Sequence, residues 1–279
     1  MAADALSIVD LYAGAGGKPV INGVDLTIRK GEVHVLFGPN GSGKSTLLSA
    51  IMALPGYAIT GGSVKVAGND TAGMTTDKIA ALGVGMSFQH PPAVSGVTLA
   101  AFLLAINRTD DLEAAIRELD MEDFLRRELN VGFSGGELKR AEILKLYAQD
   151  PDMLLIDEPE SGVDIENIAV ISRAVNKMLR RTFADVRHRK SALIITHTGH
   201  ILETVAADVG HVFIEGRIAY SGDPGEIMAA IKTRGFQGCV DYLGGRKEET
   251  WSLKHWMRAL GRRLRTSPLA RALTDRLPF

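Results

Sequence analysis

Residues 38–46 read Gly38-Pro39-Asn40-Gly41-Ser42-Gly43-Lys44-Ser45-Thr46, a complete G-x-x-x-x-G-K-[ST] loop. A strand pattern (Glu32 to Phe37) precedes it and a helix pattern (Lys44 to Leu54) follows. Glycines at 38, 41 and 43 let the backbone turn tightly, so that consecutive N–H groups face inward on a phosphate. The positive end of the following helix strengthens that anion site. Lys44 supplies a full charge for the β- and γ-phosphates of a nucleotide, and Ser45 places a hydroxyl for Mg²⁺.

A second chemical element is Met153-Leu154-Leu155-Ile156-Asp157-Glu158. Four apolar residues make a buried strand, and two carboxylates stand at its C-terminal end, where open α/β sheets place their ligands. Asp157 suits a Mg²⁺ held through water, and Glu158 suits the polarisation of a water that attacks the γ-phosphorus. Alone, the pair also reads as a solvated strand end; the phosphate loop upstream favours chemistry. The third element, Asn130-Val131-Gly132-Phe133-Ser134-Gly135-Gly136-Glu137, precedes a helix pattern. Ser134 can cap that helix and the glycines open its N-terminus to an anion, although a cap and a turn would read the same way.

These groups need a scaffold, and strand patterns alternating with helix patterns predict an α/β chain with a largely parallel sheet. Strand runs fall at Ser7–Leu11, Val24–Ile28, Glu32–Phe37, Ser63–Val66, Gly85–Phe88, Met153–Asp157, Ala192–Thr196, His211–Ile214 and Arg217–Ser221. The early ones, separated by Arg29-Lys30-Gly31 and Thr60-Gly61-Gly62, read as an antiparallel flank. From about Thr98 to Gln149 there is no strand candidate, and apolar residues repeat at helical spacing, which predicts a helical insertion over about 90–150. Later helices are predicted at Ile165–Arg180, His200–Ala206 and Pro224–Lys232. Gly244-Gly245 marks the predicted edge of a first unit, 1–243, with an extension over 246–279.

The chain has 279 residues and a net charge of −1, ordinary for a soluble globular protein. Residues 246–279 carry nine Lys/Arg against three Asp/Glu, so this end holds about +6 and the remainder about −7. Cys239 is the only cysteine, which excludes an internal disulfide and an all-cysteine metal site and fits a reducing compartment. The N-terminus lacks the pattern of a signal peptide. The longest apolar-rich run, Val97 to Ile106, is far short of the roughly 20 residues that span a bilayer.

The order of these motifs adds a resemblance. Phosphate loop, SGGE, a strand ending in Asp157-Glu158, then Ser161-Gly162-Val163-Asp164, then Ile195-Thr196-His197 at a strand end is similar to the ATP-binding-cassette (ABC) ATPases, over about residues 5–242. Gln89, after the strand at 85–88, matches that family's Q-loop glutamine. The resemblance implies a P-loop ABC ATPase fold: a mostly parallel core sheet, an antiparallel β flank and a helical subdomain. It implies Mg²⁺-dependent ATP hydrolysis by a transient, ATP-dependent head-to-tail homodimer with two ATP molecules sandwiched between protomers. Ser134, Gly135 and Gly136 of one chain would meet the γ-phosphate bound by Lys44 of the other. Gln89 would join Ser45 at the metal, His197 would hold the attacking water with Glu158, and Asp164 would lie at the dimer seam. On its own His197 reads equally well as a structural strand-end histidine. The aromatic on which the family stacks adenine is replaced by Ala15. Tyr12, three residues earlier, faces the other side of a regular strand and reaches the base only if the chain bulges; otherwise it is a core or surface tyrosine.

Within the family, NVGFSGGELKRAEIL (130–144), SGVDIENI (161–168), ITHTGHIL (195–202) and FQHPPAVSGVT (88–98) resemble the SufC-type ATPases of the Suf iron–sulfur cluster assembly system. Thr198, where many transporters carry Asp, points the same way; Pro159 departs from many SufC proteins. This resemblance implies a cytoplasmic ATPase that works on a SufB-type scaffold, with or without SufD, docked at the helical insertion and Gln89–Val97. Cluster ligands would lie on the scaffold, which leaves Cys239, in a terminal loop, a structural or incidental thiol. The nucleotide-binding subunit of an ABC transporter is the alternative, with identical chemistry and a membrane partner. A translation or DNA-repair cassette would need a second cassette or a long coiled coil.

Leu253, Trp256, Met257, Leu260 and Leu264 share one helical face, with arginines around it. This basic amphipathic extension fits a packing helix, a partner contact or an anionic membrane surface; no aromatic–basic interleaving points to nucleic acid. Deleting residues 246–279 is expected to leave nucleotide affinity unchanged, as measured by titration with a fluorescent ATP analogue; a weakened variant would move the predicted edge of the first unit.

Overall fold

The computed structural model describes residues 4–180 and 189–244, and the most continuously apolar segments form its centre. In chain order the strands are β1 (Asp4–Ala15), β2 (Lys18–Arg29), β3 (Val33–Phe37), β4 (Tyr57–Val66), β5 (Asn69–Asp70), β6 (Val84–Ser87), β7 (Val94–Thr98), β8 (Glu128–Leu129), β9 (Met153–Asp157), β10 (Ser191–Ile195), β11 (Val209–Ile214) and β12 (Arg217–Gly222). The helices are α1 (Lys44–Ile51), α2 (Thr76–Ala81), α3 (Leu99–Ile106), α4 (Leu112–Glu118), α5 (Gly135–Gln149), α6 (Ile165–Met178) and α7 (Pro224–Gly244).

Strands β3, β9 and β10 are buried at every position. Such strands need apolar side chains on both faces, because parallel sheets are covered on both sides. They sit inside a six-stranded sheet ordered β12-β11-β3-β10-β9-β6, parallel except for the β11–β12 pair. Alternation divides their side chains between two cores. Val33, Val35, Phe37, Leu154, Ile156, Ala192 and Ile194 face a cluster that includes residues of α3 to α7. Leu36, Met153, Leu155, Leu193 and Ile195 face a cluster with α1 and the antiparallel sheet β2-β1-β4-β5. The mostly parallel sheet with an antiparallel flank is thus the architecture that the sequence implies.

Several elements differ from their sequence-based bounds. Strands β1 and β2 are each 12 residues long, well beyond Ser7–Leu11 and Val24–Ile28. Asp10 (φ 46°) is an extra residue in β1, and the register shifts between Ile8 and Leu11. A bulge of this kind breaks the two-residue period that marks a strand. The stretch 98–149 does contain a strand: β8 pairs with β7 through Val94–Leu129 and Thr98–Glu128. Two residues are too few to show a period. The predicted helix at 200–206 is a 3₁₀ turn over His200–Glu203. Helix α7 runs past Lys232 to Gly244, broken only by a kink at Gly235, where φ is 70°. Cys239 therefore lies in a helix and not in a loop, fully buried, with its thiol directed at the Ile227 carbonyl 3.7 Å away. The 246–279 extension lies outside the described residues. Among the described residues no helix is long and apolar enough to cross a membrane.

One polar chain crosses the buried sheet. His34 Nδ1 and His211 Nε2 are 2.9 Å apart, on β3 and β11. His34 Nε2 lies 3.3 Å from Glu32 Oε2, and His211 Nδ1 lies 2.7 Å from Ser221 Oγ. Burial, helped by the neighbouring His34, pushes the His211 imidazole from the ordinary 6.5 down to about 3. The unfolded chain then takes up a proton that the folded chain refuses. Stability is full above pH 6.5 and falls as the pH drops towards 3. At pH 5 the loss through His211 amounts to about 2 kcal/mol. Urea unfolding at pH 7 and pH 5 is expected to show a smaller difference in His211→Gln than in the parent, by about that amount.

Candidate active site

The loop Gly38–Thr46 leaves the buried end of β3 and enters α1. Gly43, which precedes α1, has φ 104°, and a Cβ there would stand 2.9 Å from Val20 Cγ1. Both the conformation and the space require glycine. Asn40 and Gly41 form the exposed tip, Pro39, Ser45 and Thr46 are half-buried, and Ser42 is buried. Lys44 is only 5% exposed, and its ammonium donates to the Gly38 carbonyl (2.8 Å) and the Pro39 carbonyl (2.9 Å). Burial holds its pKa below the usual lysine value, against the pull of Glu158 and Asp157. The cation is thus kept within the loop whose N–H groups would cradle a phosphate.

Asp157 and Glu158 stand at the C-terminal end of β9, both buried. Burial raises the Asp157 pKa; the Ser45 hydroxyl bonds the carboxylate and opposes this, Glu158 adds to it, and Lys139 and Lys44 oppose it. Asp157 Oδ1 is buried without a hydrogen-bond donor, as is Ser42 Oγ. The orphaned carboxylate oxygen of Asp157, with the Ser45 hydroxyl near that carboxylate, fits Mg²⁺, which binds through one or two carboxylates and takes its other ligands from phosphate and water. Among the described residues no group of three or more His, Cys, Asp or Glu side chains could hold a metal by itself. Glu158 departs from the strand with φ 45°, and its N–H donates to the Ile195 carbonyl at 3.1 Å. This left-handed turn directs the side chain to two partners. Gln89 Nε2 donates to Glu158 Oε2 at 2.9 Å. His197 Nδ1 lies 3.5 Å from Glu158 Oε1, close enough for attraction but with no hydrogen bond formed. The donated amide leaves the Gln89 side-chain oxygen, Oε1, as the end available to a cation.

The structure therefore gathers Lys44, Ser45, Gln89, Asp157, Glu158 and His197. Ser134, Gly135 and Gly136 form the start of α5, with Gly135 facing Gly162 and Gly136 facing Asn167, the partner of Asp164. Ser134 caps α5 in a reciprocal box: Glu137 N–H donates to Ser134 Oγ (3.4 Å), and Ser134 N–H donates to Glu137 Oε2 (2.7 Å). Asp164 caps α6 by accepting from Asn167 N–H at 2.9 Å, and bonds from the Asn167 backbone and side chain lower its pKa. A Cβ on Gly135 would lie 3.1 Å from the Gly162 carbonyl. The two helix starts thus adjoin one another.

Three charged residues here escaped the sequence reading. Lys139 donates to the Gln89 carbonyl at 3.1 Å, and Glu142 accepts from Phe88 N–H at 3.0 Å and from Lys145. Both are buried on α5, and their spacing of three among its apolar positions was the available signal. Glu160 is buried in the loop after Glu158, where no periodicity could point to it. Tyr12 lies on the solvent face of the antiparallel sheet, 41% exposed, with its ring over Gly23 and Gly61, despite the bulge before it.

The sequence pattern of the ABC transporter family matches residues 21–161. The chain is 39% identical over 259 residues to "Vegetative protein 296" of Bacillus subtilis (strain 168), covering 88% of this chain and 96% of that protein. It is 37% identical over 235 residues to the "Probable ATP-dependent transporter SufC" of Escherichia coli (strain K12), covering 78% and 92%. A solved "ATP binding subunit of ABC transporter" superposes with a TM-score of 0.67 at 23% identity, over 87% of this chain and 99% of that one. The chain belongs to the ABC ATPase family, and it is an ATP-hydrolysing subunit that resembles SufC. Lys44→Ala is expected to abolish binding at ATP concentrations that saturate the parent, as read by calorimetric titration; retained affinity would remove Lys44 from the phosphate site.

Proposed function

We propose that this chain is the ATPase subunit of a cytoplasmic SufBC(D)-type iron–sulfur cluster assembly complex, in which ATP-driven closure of two cassettes remodels a SufB-type scaffold, with or without a SufD partner. The likeness of residues 130–144, 161–168 and 195–202 to SufC-type ATPases carries this reading, and the identity to the Escherichia coli protein named SufC supports it. Two apolar side chains of the insertion stand open to a protein partner: Val94 on β7 is 36% exposed and Leu104 on α3 is 75% exposed. Movement there reaches the site through Phe88 and Gln89, which Glu142 and Lys139 fasten to α5.

In the proposed reaction the loop Gly38–Thr46 and Lys44 hold the phosphates of ATP. Ser45, Asp157 and Gln89 hold Mg²⁺, which when bound neutralises charge on the β- and γ-phosphates. Glu158 takes the proton of the attacking water, whose oxygen bonds the γ-phosphorus as the bond to the β–γ bridging oxygen breaks. ADP departs with that electron pair. Gln89 and His197 keep the Glu158 carboxylate and the water in line. Ser134, Gly135 and Gly136 of a second copy complete the enclosure of the γ-phosphate, and Asp164 lies at the seam between copies. Neither half encloses the phosphate alone, so hydrolysis is tied to closure.

The word "transporter" in the family's description and in the name of the Escherichia coli relative favours a second reading as the nucleotide-binding subunit of an ABC transporter. One experiment separates the two. Glu158→Gln is expected to hold ATP without turnover and to trap the closed dimer. A detergent-free pull-down of this tagged variant with Mg-ATP, read by mass spectrometry, is expected to recover a soluble scaffold. Recovery of a multi-span permease, and only after membranes are solubilised, would establish the transporter reading instead.

A further inference from the structure

We propose that Glu160 is the positioning residue for His197: its buried carboxylate gathers the segment Thr196–Ile201 and turns the histidine towards Glu158. Glu160 is 5% exposed. Its Oε1 accepts from the Thr196 hydroxyl, from the Thr198 hydroxyl at 2.5 Å and from Gly199 N–H at 3.2 Å. Its Oε2 accepts from Ile201 N–H at 2.8 Å. Gly199 N–H also reaches Thr196 Oγ1 at 2.8 Å, which closes the turn on itself.

All of these donors come from one short segment that follows β10, and no cation pairs with Glu160 among the described residues. A buried carboxylate is costly unless hydrogen bonds satisfy it, and bonds to an ionised acceptor are the stronger kind. The carboxylate therefore fixes the segment, and the segment in turn keeps the carboxylate in place. Strand β10 ends at Ile195, and the chain bends at His197 and Thr198. Thr196 and Thr198 both turn to Glu160, and His197, between them, points to Glu158 Oε1 at 3.5 Å. The anchor also lies two residues after Glu158 and four before Asp164. It ties the acid that would take the proton, the histidine beside it and the start of α6 into one unit. Thr198 matters here for a chemical reason. An acid at position 198 would set two carboxylates against each other, whereas a hydroxyl donates.

The inference rests on the reading of Glu158 and His197 as acting on ATP, and the test separates the two. Steady-state ATPase activity of the full chain is measured for His197→Ala, Glu160→Gln, Glu160→Thr, Thr198→Asp and the double variant Glu160→Thr/Thr198→Asp, which moves the carboxylate across the pair. Each single change at 160 or 198 is expected to lower kcat about tenfold with KM for ATP unchanged, since the phosphate loop is untouched. The double variant is expected to recover most of that loss, a coupling that a double-mutant cycle isolates. Parent-like kcat in both Glu160 variants would overturn the assignment. So would a joint change of kcat, KM and thermal midpoint that the double variant does not repair, which is the mark of a residue needed only for folding. If His197→Ala itself turns over like the parent, the reading of the site fails, whatever the Glu160 variants do.

Discussion

Charge is held almost out of water at one edge of a parallel sheet, and the rest of the molecule follows from that constraint. Lys44, Asp157 and Glu158 are all buried at the C-terminal ends of β3 and β9. Moving such groups out of water costs several kcal/mol each unless partners replace the solvent. Lys44 takes carbonyls of its own loop, Asp157 takes Ser45, and Glu158 takes the Gln89 amide. The sheet beneath has to be dry and rigid for these partners to stay in place. The uninterrupted apolar runs of β3, β9 and β10 provide that, with a packed cluster on each face.

Helix α5 connects this charged edge to the periphery. Its N-terminus presents Ser134, Gly135 and Gly136, and its buried side carries Lys139 and Glu142. These two reach the backbone at Gln89 and Phe88, where the central sheet gives way to the segment leading to β7 and α3. Burial and the neighbouring acids act on Lys139 in opposite senses: burial lowers its pKa, and Asp157, Glu142 and Glu158 raise it. The segment leading to β7 and α3 is thus tied to α5 by bonds from two buried charges.

The sequence made the phosphate loop, the acid-ended strand and the order of elements legible, because each depends on local rules: a loop pattern, an apolar run, a cap. What it hid depends on bulges, very short strands and long-range contacts. Asp10 disrupts the period of β1, so only its middle could be recognised. Strand β8 is two residues long and exists only through pairing with β7. Helix α7 continues beyond Gly235, a residue that would ordinarily end it, because Phe236, Cys239, Val240 and Leu243 pack on the core. Within the site, Lys44, Ser45, Gln89, Asp157, Glu158 and His197 do converge. Glu160 was invisible because its partners lie about 40 residues away in sequence, and Glu142 showed only its place among the apolar positions of α5, its partner at Phe88 being 54 residues away.

The capping box at α5 has one more consequence. A serine hydroxyl carries two lone pairs and a single hydrogen. Ser134 spends a lone pair on Glu137 N–H, and the Glu137 carboxylate folds back on the Ser134 backbone. The hydrogen and one lone pair are left over, and to an anion arriving at the mouth of this helix Ser134 would turn the hydrogen, as a donor. The acid three residues on, which would repel an approaching anion if it swung free, is held by its own tether. One local motif thus sets both the direction of a proton and the position of a negative charge at the same helix end.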